Sequence, residues 1–527
     1  MKKEEKYIIA YDHGTSGVKT ALVSIHGKVL DFIFEQTPIY LKGEGGAEQK
    51  PDEWWQALIN TSQRLIEKNL VPIDDIVGIC CSSQWSGTVP VDKDGNHLMN
   101  AIIWMDSRGA PYIKKQLRGF IKISGYPIRD IYKFIRIAGG APSLTGKDPI
   151  AHILYLKHEL PTIYDKTFKF LECKDYINSK LTGKIASSYD SITLHWITDN
   201  RDINQIKYDK SLIKRLGVDK EKFPVLKHSN DILGSIKTEV ADEIGINRDV
   251  KVIMGSPDLQ SAIIGSGAVD DFTGHLYVGT SAWIICHVPF KKTDIFHNIA
   301  SIPSAIPGKY FVANEQESAG QCLNFLRDNI FYSNDKDYYG NPEVYQMFDK
   351  IVENVPVGSN NLIFTPWLYG ERTPIDDHTV RGSFFNISLN TNKSHIIRAV
   401  FEGVAYNQKW VLKYVEKFVK RKMNPLNFIG GGARSDIWCQ IFADVFNRTI
   451  RRVKDPIQAN ARGAAFIASI ALGYITFNEI PKFIQFDRIF KPTEKNNEIY
   501  NRLYKEFLLF YKHNQASHRR LNLLENA

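Results

Sequence analysis

Two short loops and one aspartate in this 527-residue chain have the composition of a site that moves phosphate. Gly14-Thr15-Ser16-Gly17 follows the apolar run Tyr7 to Tyr11, and consecutive backbone N–H groups and hydroxyls in such a turn can cradle phosphate oxygens. Asp12 lies just ahead of the turn, where a carboxylate suits Mg²⁺ held through water, and Lys19 just beyond it adds positive charge. Gly279-Thr280-Ser281 could present the same groups from the second half of the chain, so that a phosphate chain would lie between the two loops. Asp258 ends the apolar run Val252-Ile253-Met254-Gly255 in a Ser-Pro-Asp turn. It reads either as a turn or capping aspartate, or as a carboxylate aimed into a cleft to take a proton from a hydroxyl. Phosphoryl transfer asks for little more than a base, Mg²⁺ and backbone donors. Any one of these loops by itself reads as an ordinary β-turn; the set points to phosphate.

The two common phosphate fingerprints are missing. Gly146-Lys147 is followed by Asp148, so there is no P-loop, and Gly265-Ser266-Gly267-Ala268-Val269-Asp270 lacks the third glycine of a dinucleotide turn. The composition (43% hydrophobic, 24% charged) is that of a globular protein of several domains. Lys plus Arg exceed Asp plus Glu by 67 − 58, a net +9. That excess suits phosphate handling but is too thinly spread, in clusters such as Lys420-Arg421-Lys422 and Arg451-Arg452, for a nucleic-acid binder. Six cysteines make no C-x-x-C pair and read as reduced buried thiols. The apolar run after the charged N-terminus is too short for a signal peptide. The stretch Phe272 to Lys291 is broken by Gly274, Gly279 and His287 and is not a membrane span. A cytoplasmic protein without nucleic-acid or membrane partners is expected.

The elements that must hold these residues can be read from pattern. Residues 7–34 alternate β-branched runs with Gly/Ser/Thr turns, predicting strand, tight turn, strand, strand. Pro51 opens a helix with Trp54, Trp55, Leu58 and Ile59 on one face. Ile76 to Cys81 is a buried strand ending in Ser82-Ser83-Gln84-Trp85-Ser86-Gly87. From Val252 the theme of strand, G-T-S and strand returns, so two similar domains are expected to face each other, 1–254 and 255–527. Ala459-Asn460-Ala461-Arg462-Gly463-Ala464-Ala465 starts a helix whose small residues permit close backbone packing, and Tyr500, Leu503, Tyr504, Phe507, Leu508 and Tyr511 stripe a docking helix. Strands and helices alternate throughout, so the class is α/β.

Taken in order, Asp12-x-Gly14-Thr15-Ser16-x-x-Lys19, Asp258, Gly279-Thr280-Ser281, Gly370-Glu371-Arg372-Thr373-Pro374, the segment Arg398 to Ala405, Gly430-Gly431-Gly432-Ala433-Arg434-Ser435 and Gly463-Ala464-Ala465 resemble the FGGY carbohydrate kinases, and most closely their xylulose kinase branch. The resemblance spans about residue 7 to 512. It implies two actin-like (ribonuclease H-like) domains around a deep cleft, with the sugar mainly on the first and ATP·Mg²⁺ mainly on the second. By position it makes Asp258 the general base and Asp12 the metal holder. Gly14, Thr15 and Ser16 would contact the transferring phosphate, and Gly279, Thr280 and Ser281 the inner phosphates. Gly320, Gly431, Gly432 and Asp436 would flank the nucleotide base and ribose. The sugar would meet Gln84, Trp85, Ser86, Trp104, Asp106, Arg108, Asp258 and Leu259. A homodimer is the prior for proteins that look like this one.

The chain departs from the xylulose kinase pattern on the sugar side. Gln84-Trp85-Ser86-Gly87 stands where Gln-Met-His-Gly is usual, so an imidazole is replaced and an indole sits beside it. Met105 occupies a common asparagine position, His152 a lysine position and Asn386 a glycine position. Trp85 could stack on a sugar face or sit in the core under the loop. The resemblance therefore implies a kinase acting on D-xylulose first, with another ketose or a polyol (ribulose, erythritol, glycerol) as alternatives. A non-catalytic sensor and an ATP-driven chaperone or filament protein of the same fold are the rival classes.

Overall fold

The computed structural model describes residues 5–123 and 125–523. The first sheet is built from β1 (Tyr7–Gly14), β2 (Gly17–Ser24), β3 (Val29–Gln36), β4 (Ile76–Ser83), β5 (Ile232–Ser235) and β6 (Lys251–Pro257), in the order β5-β6-β4-β1-β2-β3. The second runs β8-β7-β9-β10-β11, from β7 (Gly274–Val278), β8 (Ala282–Ile285), β9 (Leu426–Ile429), β10 (Ile450–Val453) and β11 (Phe486–Phe490). The two share one plan. A hairpin (β1/β2, β7/β8) sets its first strand parallel to a later one (β4, β9), which is parallel to the next (β6, β10), and an antiparallel strand (β5, β11) closes the edge. This is the actin-like, ribonuclease H-like pair expected from the sequence.

Alternation explains why β1 is apolar on both faces. Ile9 and Tyr11 pack with Trp54 and Leu58 of α1 (Pro51–Ile66), while Ile8 and Ala10 pack with Ala464, Ala465 and Phe466 of a helix from the other half. That helix is α5 in a series with α2 (Asp258–Gly265), α3 (Lys393–Val419), α4 (Asp436–Phe446), α5 (Ala459–Ala471) and α6 (Glu494–Asn522). α2 and α5 follow the corresponding strands β6 and β10, and they cross with backbones in contact. A Cβ added to Gly265 would lie 1.8 Å from the Ala459 carbonyl oxygen, and one added to Gly463 would lie 1.9 Å from that of Ser261. The small residues read from the sequence are what allow this approach. Arg462 locks the crossing by donating to the carbonyls of Gly27, Gly265 and Lys454.

The division expected at residue 254 cuts through β6, whose Ser256 and Pro257 still pair with Ser82 and Ser83 of the first sheet. The chain passes to the second sheet between Gly265 and Gly274, because β6 must first deliver α2 to the crossing. α6 docks through Tyr500, Leu503, Tyr504 and Phe507, all buried. The stretch Phe272 to Lys291 holds β7 and β8, and no helix among the described residues is long and apolar enough to cross a membrane. The six cysteines are buried and unpaired.

Candidate active site

Strand register assembles the site before any side chain is considered. Asp12 of β1 lies beside Ser82 of β4, and Ser82 lies beside Ser256 of β6. The carboxyl ends of three parallel strands therefore open on one edge, with Asp12 on one flank and Asp258, the first residue of α2, on the other. Neighbouring strands are about 4.8 Å apart, so the two carboxylates bracket a gap about two strands wide.

Asp258 is only partly exposed, and its Oδ1 accepts the Leu259 N–H at 2.7 Å. Burial between the cleft walls pushes its carboxyl up to about 7, with Asp12 and Glu315 adding like-charge repulsion. A carboxylate in that range is protonated and deprotonated in comparable amounts near neutrality, which is what a general base requires. Leu259 packs into the core between the two sheets.

Asp12 is held from both halves of the chain: Lys19 Nζ donates to Oδ2 at 3.1 Å and Asn460 Nδ2, from α5, to Oδ1 at 3.2 Å. Lys19 also donates to the Ile457 carbonyl at 3.2 Å, so its charge serves Asp12 and the junction of the halves. Between β1 and β2 a two-residue turn leaves Thr15 and Ser16 with backbone N–H groups that bond to nothing among the described residues. The Thr15 hydroxyl is committed, accepting from Trp104 Nε1 at 2.9 Å and donating to Gln84 Oε1 at 3.0 Å, while Ser16 is exposed.

The second loop is braced from behind. The carbonyls of Gly279 and Thr280 accept the N–H groups of Gly320 and Ala319 at 2.8 Å each. Thr280 is exposed at the tip, and Ser281 closes the turn by accepting the Gly279 N–H at 2.9 Å. Beyond β9, Gly430 takes φ +92° and packs on the Val278 carbonyl, where a Cβ would lie 2.5 Å from the oxygen. Gly432 packs on the Val278 side chain, whereas Gly431 has open space before it. Asp436 begins α4 and is bound by Arg452 at 2.5 Å and by Arg488.

Among the residues expected to meet the sugar, Gln84 Nε2 donates to Gln49 Oε1 at 2.8 Å, and Gln49 Nε2 donates to the Thr15 carbonyl at 2.9 Å. Gln84, Thr15, Trp104 and Gln49 thus form one polar patch. Trp85 is half-buried: its Nε1 donates to the Ser191 carbonyl at 2.9 Å and its ring lies 6.2 Å from that of Phe311 in the second half. The indole is therefore anchored in the loop's support. Ser86 is buried with φ +64°. Asp106 is 1% exposed, taking the Ala47 N–H at 2.8 Å and the Arg108 Nε at 2.9 Å. Arg108 Nη2 reaches Glu48 at 2.8 Å, and its guanidinium stacks on Tyr155. These two residues brace the Trp104 loop from beneath. His152 is buried between Thr88 and the Asp106 carbonyl, and burial lowers its imidazole to about 4. Asn386 adopts φ +73°, a left-handed conformation that asparagine tolerates in place of glycine.

Sequence pattern did not single out Gln49, Asn460 or Glu315. Glu315, which opposes the ionisation of Asp258 by like charge, is bound by Arg372 Nη1 at 2.7 Å, with Glu317 on the same guanidinium. The G-E-R-T-P element was the available signal for Arg372; the other three have none, because their partners lie far away in the chain.

Sequence models of the FGGY family of carbohydrate kinases match residues 7–265 (N-terminal domain) and 275–472 (C-terminal domain). The chain belongs to this family. It is therefore an ATP-dependent sugar kinase. The FGGY chain is 29% identical over 513 residues to a xylulose kinase of Staphylococcus epidermidis, covering 96% of this chain and 97% of that one. It is 26% identical over 509 residues to a gluconokinase of Bacillus subtilis, covering 95% of each. The structure of a gluconate kinase from Lactobacillus acidophilus superposes with a TM-score of 0.84 at 29% identity, covering 98% of this FGGY kinase and 100% of that chain.

Proposed function

We propose that the sugar is a neutral pentulose, D-xylulose before other ketoses or polyols, phosphorylated to D-xylulose 5-phosphate. The observation that carries this reading is the electrostatics around Asp258. Asp12 and Glu315 already oppose its ionisation, and the nearby Arg372 is occupied by Glu315 and Glu317. An aldonate carboxylate would add to the like charge of this cleft, where Arg372 is already paired, whereas a neutral polyol needs only hydroxyl partners, which Gln84 and Asp258 supply.

In this reading Asp258 accepts the proton of the reacting hydroxyl as the oxygen's electron pair forms the bond to the γ-phosphorus. The bond to the β,γ-bridging oxygen breaks and ADP leaves. The open N–H groups of Thr15 and Ser16 receive the transferring phosphate, and Thr280 and Ser281 the inner phosphates. Asp12 fits Mg²⁺ held mainly by water and phosphate: it is a single, partly exposed carboxylate, and no group of three or more ligating side chains among the described residues could hold a metal. Bound there, the ion would neutralise phosphate charge. Closure of the two halves on the sugar would exclude water as a competing acceptor.

The test is ADP release from ATP·Mg²⁺ with D-xylulose, D-ribulose, gluconate, erythritol and glycerol, using Asp258→Ala as control. Turnover with D-xylulose well above the sugar-free rate, lost in the variant, is expected. Stimulation by gluconate alone would overturn the neutral-substrate reading.

A further inference from the structure

The loop Gln84–Gly87, where the chain departs from the xylulose kinase pattern, rests on a buried polar cluster that the phosphoryl-transfer chemistry does not use. Glu172, just ahead of the helix Cys173–Thr182, is 2% exposed. Its Oε2 accepts the Gly87 N–H at 2.9 Å. Its Oε1 has no hydrogen-bond partner, and His195 Nδ1, also without one, stands 3.7 Å away. Lys174, the cation next along the chain, is bound to Asp175 instead. The contact is tight, since a Cβ on Gly87 would lie 2.3 Å from Cys173 Sγ. Two further bonds hold the loop and its root: the Ser191 carbonyl, from the turn Ser191–His195, accepts from Trp85 Nε1, and the Lys174 N–H donates to Ser83 Oγ, at the end of β4, at 3.1 Å.

The geometry points to Glu172 as a positioning residue for sugar specificity, a neutral carboxylic acid whose C=O takes the Gly87 N–H and whose O–H is directed at His195 Nδ1. An ionised carboxylate buried here would have no cation bonded to it, Lys174 being held by Asp175, and would leave Oε1 facing an unpaired imidazole nitrogen, at a cost that protonation removes. Burial drives both groups to their neutral forms, raising the Glu172 carboxyl well above its ordinary range, with Asp175 adding to the rise, and lowering His195 to about 3. Asp148 opposes ionisation further, and Lys174 only partly offsets it. Glu172 thereby fixes the Gly87 backbone, and with it Ser86 in its left-handed conformation and the set of Gln84. This inference rests on the reading that Gln84–Gly87 faces the sugar.

The test compares Glu172→Ala, Glu172→Gln and Gln84→Ala in the full chain by steady-state kinetics, together with infrared difference spectra of the wild type against Glu172→Gln. Glu172→Ala leaves the buried Gly87 N–H unpaired and is expected to raise the sugar KM about tenfold with the ATP KM unchanged. Glu172→Gln, whose amide carries the same C=O and a donor, should restore the sugar KM, and the difference spectrum should show loss of a protonated-carboxyl C=O band. A Glu172→Gln enzyme as impaired as Glu172→Ala, or no lost acid band, overturns the inference. If Gln84→Ala raises the sugar KM and Glu172→Ala does not, the inference alone falls. If neither moves it while Asp258→Ala abolishes turnover, the placement of the sugar falls with it. Should Glu172→Ala fail to fold, the infrared band and the Glu172→Gln kinetics still decide.

Discussion

Gly463 of α5 faces the carbonyl of Ser261 in α2 so closely that a Cβ there would lie 1.9 Å from the oxygen. This crossing joins the two halves of the kinase, and because α2 begins with Asp258, it also sets the position of the proposed base. Gly463→Val must push the helices apart. Overpacking of this kind costs about 1–3 kcal/mol or more. A lower urea midpoint and a fall in kcat larger than the change in either KM are expected from denaturation and steady-state rates.

With Asp258 as the proposed base, its carboxyl, raised to about 7, should make activity depend on pH. The base form is needed, so kcat/KM for the sugar should fall about tenfold per pH unit below that value and level off above it. Stability carries the opposite sign. The folded state holds this proton more tightly than the unfolded chain, so the contribution of Asp258 to stability declines as pH rises from about 4 through about 7. Asp258→Asn should therefore match the wild-type melting temperature at pH near 4 and exceed it at pH near 8, while losing activity. A wild-type rate flat across this range would contradict the assignment.

Asn460 reaches Asp12 from the opposite half at 3.2 Å. Removing it in Asn460→Ala frees one oxygen of Asp12 and loosens the junction beside the Gly14–Gly17 turn. An increase of about three- to tenfold in the KM for ATP·Mg²⁺ is expected, with the sugar KM unchanged. Titration of ATP at saturating sugar checks this.

Glu402 is buried in the second half, where it accepts from Arg398, the Gly358 N–H, Ser359 and Tyr500. Glu402→Ala strands the Arg398 guanidinium, and breaking a buried pair in this way costs about 3–5 kcal/mol. Equilibrium denaturation should show that loss, with the specific activity of the remaining folded protein little altered.

Local sequence determined the parts whose partners are near neighbours. The Gly14–Gly17 turn forms because a short Gly/Thr/Ser run joins two β-branched runs, and its open N–H groups follow from the two-residue connection. The small residues of 459–465 announced a close crossing, and the aromatic stripe of 500–511 a docked helix. The repeat of strand, G-T-S and strand announced the paired domains. The tertiary structure decided what depends on contacts between distant segments. It put Asn460 on Asp12 across 448 residues of chain and Gln49 between Thr15 and Gln84. It set Asp106 and Arg108 beneath the Trp104 loop, and Glu172 under Gly87. A hydrogen bond of this kind leaves no periodicity for the chain to display, because either partner would look the same beside its sequence neighbours. Only the packing of two sheets on a shared pair of helices selects which polar side chains meet.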